Sequence, residues 1–257
     1  MTTAEKRVVI SRDADELAAS VAARFLDRVG KWTASGRTVH VGLTGGGISG
    51  EILDRIGASP ERELIDWSQV HFWWVDERFV ARSDDERNEV QARRAFLDRI
   101  SVPAENIHAV AASDGGTDIE AAADAYAREL ARFSAADSAW PVFDICFLGV
   151  GPDAHIASLF PDRPEIRITD RATAAVRDSP KPPADRVTVT RPVINSAKRV
   201  WMVLTGPDKS SALGLALAGA SYHSVPAAGA KGTRRTILFT DEATAAQVPP
   251  ELIDDQY

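Results

Sequence analysis

Short apolar runs alternate along this chain with segments of helical periodicity, and that alternation restricts the fold more than any other feature. The runs cover 7–11, 38–43, 70–75, 106–110, 143–148, 186–190, 199–205 and 235–240. Each has strand length and is bounded by turn or charged residues. Between the first two, Leu17, Val21, Phe25, Leu26 and Val29 recur at helical spacing. An Asp13–Glu16 pair resembles a capping box at the start of that helix, and Gly30 is read as its stop. Strands alternating with helices predict an α/β fold: a doubly wound, mainly parallel, Rossmann-like sheet with helices on both faces. Right-handed crossovers bring several strand ends to one edge, and open sheets of this kind bind ligands there.

Three of those strand ends carry chemistry. The run 143–148 is broken by Gly149 and Gly151, and Asp153 and His155 follow where Ile156, Ala157, Leu159 and Phe160 predict a short helix. A base and a carboxylate at such a turn can do proton chemistry. A strand–glycine–helix turn also occurs where there is no active site, so the turn alone leaves both readings open. The run 38–43 ends in Thr44-Gly45-Gly46-Gly47 before a helix over 48–56, a layout that presents backbone N–H groups to an anion. It lacks the Gly-Lys-Ser/Thr of a P-loop and the usual context of a dinucleotide fingerprint. The run 70–75 ends in Asp76-Glu77-Arg78, where Arg78 is suited to gripping a phosphate. Loops 44–47, 76–78 and 149–155 are expected to meet at one edge.

The remaining segments are read more plainly. A helix begins at Asn88 with Val90, Phe96, Leu97 and Ile100 as its apolar face, and another spans 117–133. Residues 161–183 form a long polar loop, in which Lys181 stands between Pro180 and Pro182. Lys209, at the start of a further helix, is read as solvent-facing. His40 and His71 lie inside strands and are read as packed side chains.

Charge and composition exclude several classes. The formal net charge of −7 argues against nucleic acid as a main partner, while leaving room for a small anion held by a few local cations. Cys146 is the only cysteine, so neither an intramolecular disulfide nor a cysteine metal site can be built. The N-terminus has no apolar signal region, and no run reaches membrane-spanning length. The expectation is one domain over 1–257, cytoplasmic, without membrane contact, as a monomer or small homo-oligomer.

At these residues the chain resembles the 6-phosphogluconolactonase family over nearly its full length. Gly149 to Pro161 resembles the signature G-x-G-x-D-G-H-x-A-S-L-F-P. Asp76-Glu77-Arg78 with Asn88 resembles the family's D-E-R segment, and Ser179 to Pro183, Arg186 to Thr190 and Pro192 to Asn195 resemble three further motifs in order. Two departures stand out. Ala154 replaces the glycine between aspartate and histidine, and Leu43-Thr44-Gly45-Gly46-Gly47-Ile48 replaces the start of L-S-G-G-S-T-P, losing hydroxyls at 47 and 48 and the proline.

The resemblance implies hydrolysis of 6-phospho-D-glucono-1,5-lactone, a phosphorylated sugar lactone, in the second step of the oxidative pentose phosphate pathway, without metal or cofactor. His155 would be the base, suited by a pKa that is ordinarily near physiological pH, and Asp153 would orient it. Thr44, Gly45, Gly46 and Gly151 would line the substrate, with backbone N–H groups of 44–47 holding the oxyanion. Arg78, Lys181 and Arg186 would hold the phosphate. The related glucosamine-6-phosphate deaminases have a D-E-Y segment and A-F-N-E-P after the histidine, where this chain has Arg78 and Ala157-Ser158-Leu159-Phe160-Pro161. Deamination on the same fold and non-catalytic sugar-phosphate sensing are the alternatives.

Overall fold

A computed structural model describes residues 5–136 and 138–253. In chain order β1 (Glu5–Ser11), α1 (Ala14–Thr33), β2 (Val39–Leu43), α2 (Gly47–Ala58), β3 (Val70–Trp74) and β4 (Asp76–Arg78) form the first half. Then come α3 (Asn88–Ala95), β5 (Ile107–His108), α4 (Ile119–Ala131), β6 (Ile145–Gly149), β7 (Thr173–Val176), β8 (Arg186–Val189), α5 (Arg191–Ser196), β9 (Arg199–Leu204), α6 (Ser210–Leu217) and β10 (Arg235–Asp241). Seven strands make one sheet in the order β1-β10-β9-β6-β2-β3-β5, and every neighbouring pair in it is parallel. All their carboxyl ends therefore share one edge, as the alternation of strands and helices requires.

The central strands β2, β3, β6 and β9 are buried almost throughout, which is why they read as unbroken apolar runs. Trp73, Trp74, Trp201, Phe25, Phe72 and Phe143 are fully buried around them. Helix α1 places Leu17, Val21, Phe25, Leu26 and Val29 inward, and Asp13 caps it by accepting the Glu16 N–H. The helix runs past Gly30 to Thr33. Gly30 is no stop: its carbonyl accepts the Ala34 N–H at 2.9 Å inside the continuing helix, and it has no left-handed φ of the kind that ends one.

A second sheet, which the periodicity did not reveal, has the order β4-β8-β7 and is antiparallel. The run 186–190 is thus a strand, but outside the main sheet. The long loop 161–183 contains β7, so it is only partly loop. Between β3 and β4 the chain passes from one sheet to the other at Val75. Its N–H donates to the Leu43 carbonyl at 2.8 Å and its own carbonyl accepts the Val189 N–H at 2.8 Å. Asp76, Glu77 and Arg78 are therefore carried across the mouth of the crevice by the small sheet.

Two local expectations change. No helix follows His155; residues 150–159 form turns closed by bridges of Ile156 to Val150 and Leu159. Ala154 and Ala157 have φ of 63° and 49°, which a right-handed helix excludes. In α3 the buried face is Asn88, Glu89 and Ala92, while Val90 is only partly buried. That face is polar because it meets charged groups of β4.

Candidate active site

The turn after β2 is shaped by what glycine permits. Gly46 has φ of 104° and stands at the N-cap of α2, with no side-chain cap and no acidic residue in the first turn. The first helical bond is from the Gly50 N–H to the Gly46 carbonyl at 2.9 Å. The earlier N–H groups are left for a ligand, and with them the positive end of the helix dipole. Gly45 has no room for a side chain: a Cβ there would lie 1.9 Å from Asn88 Oδ1.

Asp76 and Glu77, adjacent on β4, do different work. Asp76 is 5% exposed and accepts Thr44 Oγ1 at 3.2 Å and Ser158 Oγ at 2.9 Å, tying the glycine turn to the segment after His155. Glu77 faces the start of α3. Its Oε1 accepts the N–H groups of Arg78 and Asn88 at 2.7 and 2.8 Å, and its Oε2 that of Glu89 at 2.9 Å. Burial pushes its carboxyl up to about 7, against the pull of Arg87 and those three N–H groups. Asn88 Nδ2 donates to the Asp76 carbonyl at 2.8 Å, completing the staple between β4 and α3.

Asp153 and His155 are joined directly. His155 Nδ1 lies 2.5 Å from Asp153 Oδ1, and the ring packs against Phe160 with centroids 4.7 Å apart. With Nδ1–H donating to the carboxylate, Nε2 keeps a lone pair for a proton. Asp153 is held ionised. Burial opposes its charge, but the His155 hydrogen bond and the charges of His155 and Lys181 bring its carboxyl down to about 2. The loop is closed by the Ala154 N–H donating to the Gly151 carbonyl at 2.9 Å and the Gly151 N–H to the His155 carbonyl at 3.0 Å. A Cβ at Gly151 would lie 2.2 Å from the imidazole, so the glycine is required there.

Four cations line the same cavity of about 250 Å³, together with the glycine turn, Asp76, Asn88, Gly151 and His155. Arg78 donates Nη1 to the Glu86 carbonyl at 2.6 Å, and its Nε has no partner in this structure. Lys181 Nζ lies 3.6 Å from Asp153 Oδ1, beside the histidine pair. Arg186 is 4% exposed and donates to the carbonyls of Lys181, Pro182 and Pro183 at 2.9, 3.0 and 3.1 Å. Most of its guanidinium is thus used to hold the loop that carries Lys181. Lys209 completes the set: it is half-buried against the cavity, and burial first, then Lys181, lowers its pKa. Its expected solvent exposure is corrected here. Lys209 follows the carboxyl end of β9, which shares the crevice, and that position is the signal that could have found it.

All nine site residues expected from the sequence fall on this one crevice: Thr44, Gly45, Gly46, Arg78, Gly151, His155, Lys181 and Arg186 line the cavity, and Asp153 sits behind His155. Sequence reading missed Lys209 and Ser49 as lining residues. A larger cleft of about 580 Å³ lies between α1 and α2, but alanine, leucine and surface charges line it, with no histidine. Among the described residues no group of three or more His, Cys, Asp or Glu could hold a metal ion, and no helix is long and apolar enough to cross a membrane. Cys146 is buried, and burial pushes its thiol pKa up, away from nucleophilic use.

Residues 12–239 match the family described as glucosamine-6-phosphate isomerases/6-phosphogluconolactonase. A 6-phosphogluconolactonase of Streptomyces coelicolor is 45% identical over 250 residues, 96% of each chain. One of Mycobacterium tuberculosis is 42% identical over 244 residues, 94% of this chain and 98% of that one. Among solved structures, a 6-phosphogluconolactonase of Thermotoga maritima superposes with a TM-score of 0.80 at 24% identity, covering 93% of this chain and all of that one. A monomeric glucosamine-6-phosphate deaminase gives 0.76 at 18% identity, covering 93% and 99%, a likeness of fold alone. The near full-length match to lactonases, with the Asp153–His155 pair and Arg78 in one cavity, shows that the chain belongs to the 6-phosphogluconolactonase family.

Proposed function

We propose that this protein hydrolyses 6-phospho-D-glucono-1,5-lactone to 6-phospho-D-gluconate. The observation that carries the reading is the hydrogen-bonded Asp153–His155 pair opening on a cavity lined by four cations. His155 Nε2 takes a proton from water as the water oxygen attacks the lactone carbonyl carbon. The carbonyl π electrons move onto oxygen, giving a tetrahedral oxyanion. Collapse re-forms the carbonyl and breaks the bond to the ring oxygen, which takes the proton back from the imidazolium. Asp153 stays ionised and holds the imidazolium through Nδ1.

The geometry favours an exchange of two roles expected from the sequence. Lys181 stands by Asp153, on the side of the base, which supports a role against the oxyanion rather than the phosphate. The uncapped N-terminus of α2, with Arg78 and Lys209 on the same cavity, suits a phosphate. Arg186 acts mainly on the loop that presents Lys181. The test is loss of freshly generated lactone, coupled to 6-phosphogluconate dehydrogenase and corrected for spontaneous hydrolysis. Acceleration that collapses in His155→Ala is expected. No acceleration by the folded protein sinks the reading.

A further inference from the structure

The first turn of α2 holds a polar group that the interactions above do not use. Ser49 is 6% exposed, lines the active-site cavity, and its Oγ is buried without a hydrogen-bond partner in this structure. A buried hydroxyl ordinarily finds a partner, and one left open beside a cavity marks a place for a ligand atom. Ser49 is the third residue of the helix, and helical side chains lean back toward the N-terminus. Its hydroxyl therefore lies on the end of α2 where backbone N–H groups are free. It also lies near the end of β6: a Cβ at Gly149 would be 3.8 Å from Ser49 Oγ.

The position matters because of what this chain lacks. The family pattern L-S-G-G-S-T-P has hydroxyls at 47 and 48 and proline at 49, whereas here those places hold Gly47, Ile48 and Ser49. Neither Gly47 nor Ile48 can donate from a side chain. Ser49 restores one hydroxyl, and it also restores the backbone N–H that proline would remove.

We infer that Ser49 donates its hydroxyl to the substrate's phosphate at the N-terminus of α2, standing in for the hydroxyls missing at 47 and 48. This rests on the reading that the phosphate is received there. An oxygen of the phosphate accepts from Ser49 Oγ and from the open N–H groups, with Arg78 and Lys209 supplying charge. Ser49 is thus a binding residue that supplies a hydroxyl at the position where the family pattern has proline.

Calorimetric titration with inorganic phosphate and lactone kinetics on the full chain test this together. Ser49→Ala is expected to weaken phosphate binding and raise KM, each roughly tenfold, with kcat within about twofold. A Cβ at Gly47 meets nothing within 4 Å, so Gly47→Ser can be added without collision. The Gly47→Ser/Ser49→Ala double variant is expected to recover most of both losses, which a merely structural role for Ser49 would not allow. Should Ser49→Ala fail to fold, Ser49→Cys keeps the backbone N–H and nearly the shape of the side chain, puts a weak donor in place of the hydroxyl, and reads the same loss. Unchanged phosphate affinity, a loss that Gly47→Ser leaves unrepaired, or a fall in kcat at constant KM each overturns the inference. If the unaltered protein fails to accelerate lactone hydrolysis, the reaction is wrong, while the phosphate titration still decides the role of Ser49.

Discussion

Glu77 Oε1 accepts the backbone N–H of Asn88 at 2.8 Å, so a carboxylate on β4 caps the helix that begins eleven residues later in the chain. Its other oxygen holds Glu89, and Arg87 stands 3.9 Å away. Every one of these groups is buried. Glu77→Gln replaces one oxygen by an amide donor that must face N–H groups. A destabilisation of about 2–4 kcal/mol is expected, read by urea denaturation. KM should rise as Arg78 and Asn88 lose register. A variant with unchanged stability would mean that the helix start does not depend on this carboxylate.

Asp153→Asn tests orientation rather than charge transfer. The carboxyl of Asp153 sits down at about 2, so it is ionised at neutral pH. An amide can turn its NH2 toward Nδ1 and favour the wrong imidazole tautomer. Turnover should fall by roughly 10²- to 10⁴-fold with little change in KM. Steady-state kinetics on the folded variant decide it, and a fall under threefold would remove Asp153 from the mechanism.

Ala154 occupies a left-handed backbone conformation, φ 63°, where the family pattern has glycine. That conformation costs a side-chain-bearing residue about 1–2 kcal/mol, of which the greater freedom of unfolded glycine takes back about 0.5–1. Ala154→Gly should therefore raise Tm by about 2 °C, measured by calorimetry. A lowered Tm would show that the loop depends on the Ala154 methyl group, which is buried in the core.

Far from the site, His40 stacks on His71, and His71 Nδ1 lies 3.0 Å from His108 Nε2. His40 Nδ1 accepts the Trp73 indole N–H at 3.1 Å, and His108 Nδ1 faces Glu129 at 2.8 Å. Burial first, then His71, His108 and Lys198, lowers the His40 pKa from 6.5 to about 3. A histidine kept neutral in the fold but free to charge when unfolded supports the fold fully above pH 6.5. That support is lost as pH falls toward 3, because the unfolded chain binds the extra proton. Thermal melts across this interval should show Tm falling with pH, and histidine proton resonances should place His40 below the ordinary value. A His40 that titrates normally would contradict it.

The main sheet and its ligand edge were legible because their signals are local. Fully buried parallel strands read as apolar runs, and Gly45, Gly46 and Gly151 mark turns that tolerate no side chain or need an unusual φ. Asp153 and His155 were legible for the same reason, being two residues apart after a strand. The small sheet was not, since β4 pairs with β8 across more than a hundred residues and no periodicity reports such pairing. Ile156, Ala157, Leu159 and Phe160 suggest a short helix by their spacing, and tertiary contacts override it, with Ala154 and Ala157 at positive φ. Lys209 was hidden because a lysine at a helix start is ordinarily solvated, and only the meeting of β9 with β6 brings it to the cavity.

Val75, shared by both sheets, has a mechanical consequence. Its two peptide hydrogen bonds, to Leu43 and from Val189, fasten the glycine turn's own strand and the small sheet to a single residue. The two walls of the crevice cannot separate without breaking one of those bonds. The chain between β7 and β8, which carries Lys181 and is held through the carbonyls that Arg186 grips, lies outside that clasp, and adjustment to a substrate is expected there. Hydrogen exchange should find the amide of Val75 among the slowest in the molecule, and those flanking Lys181 among the faster ones. The enzyme would thus behave as a fixed vice with one adjustable finger.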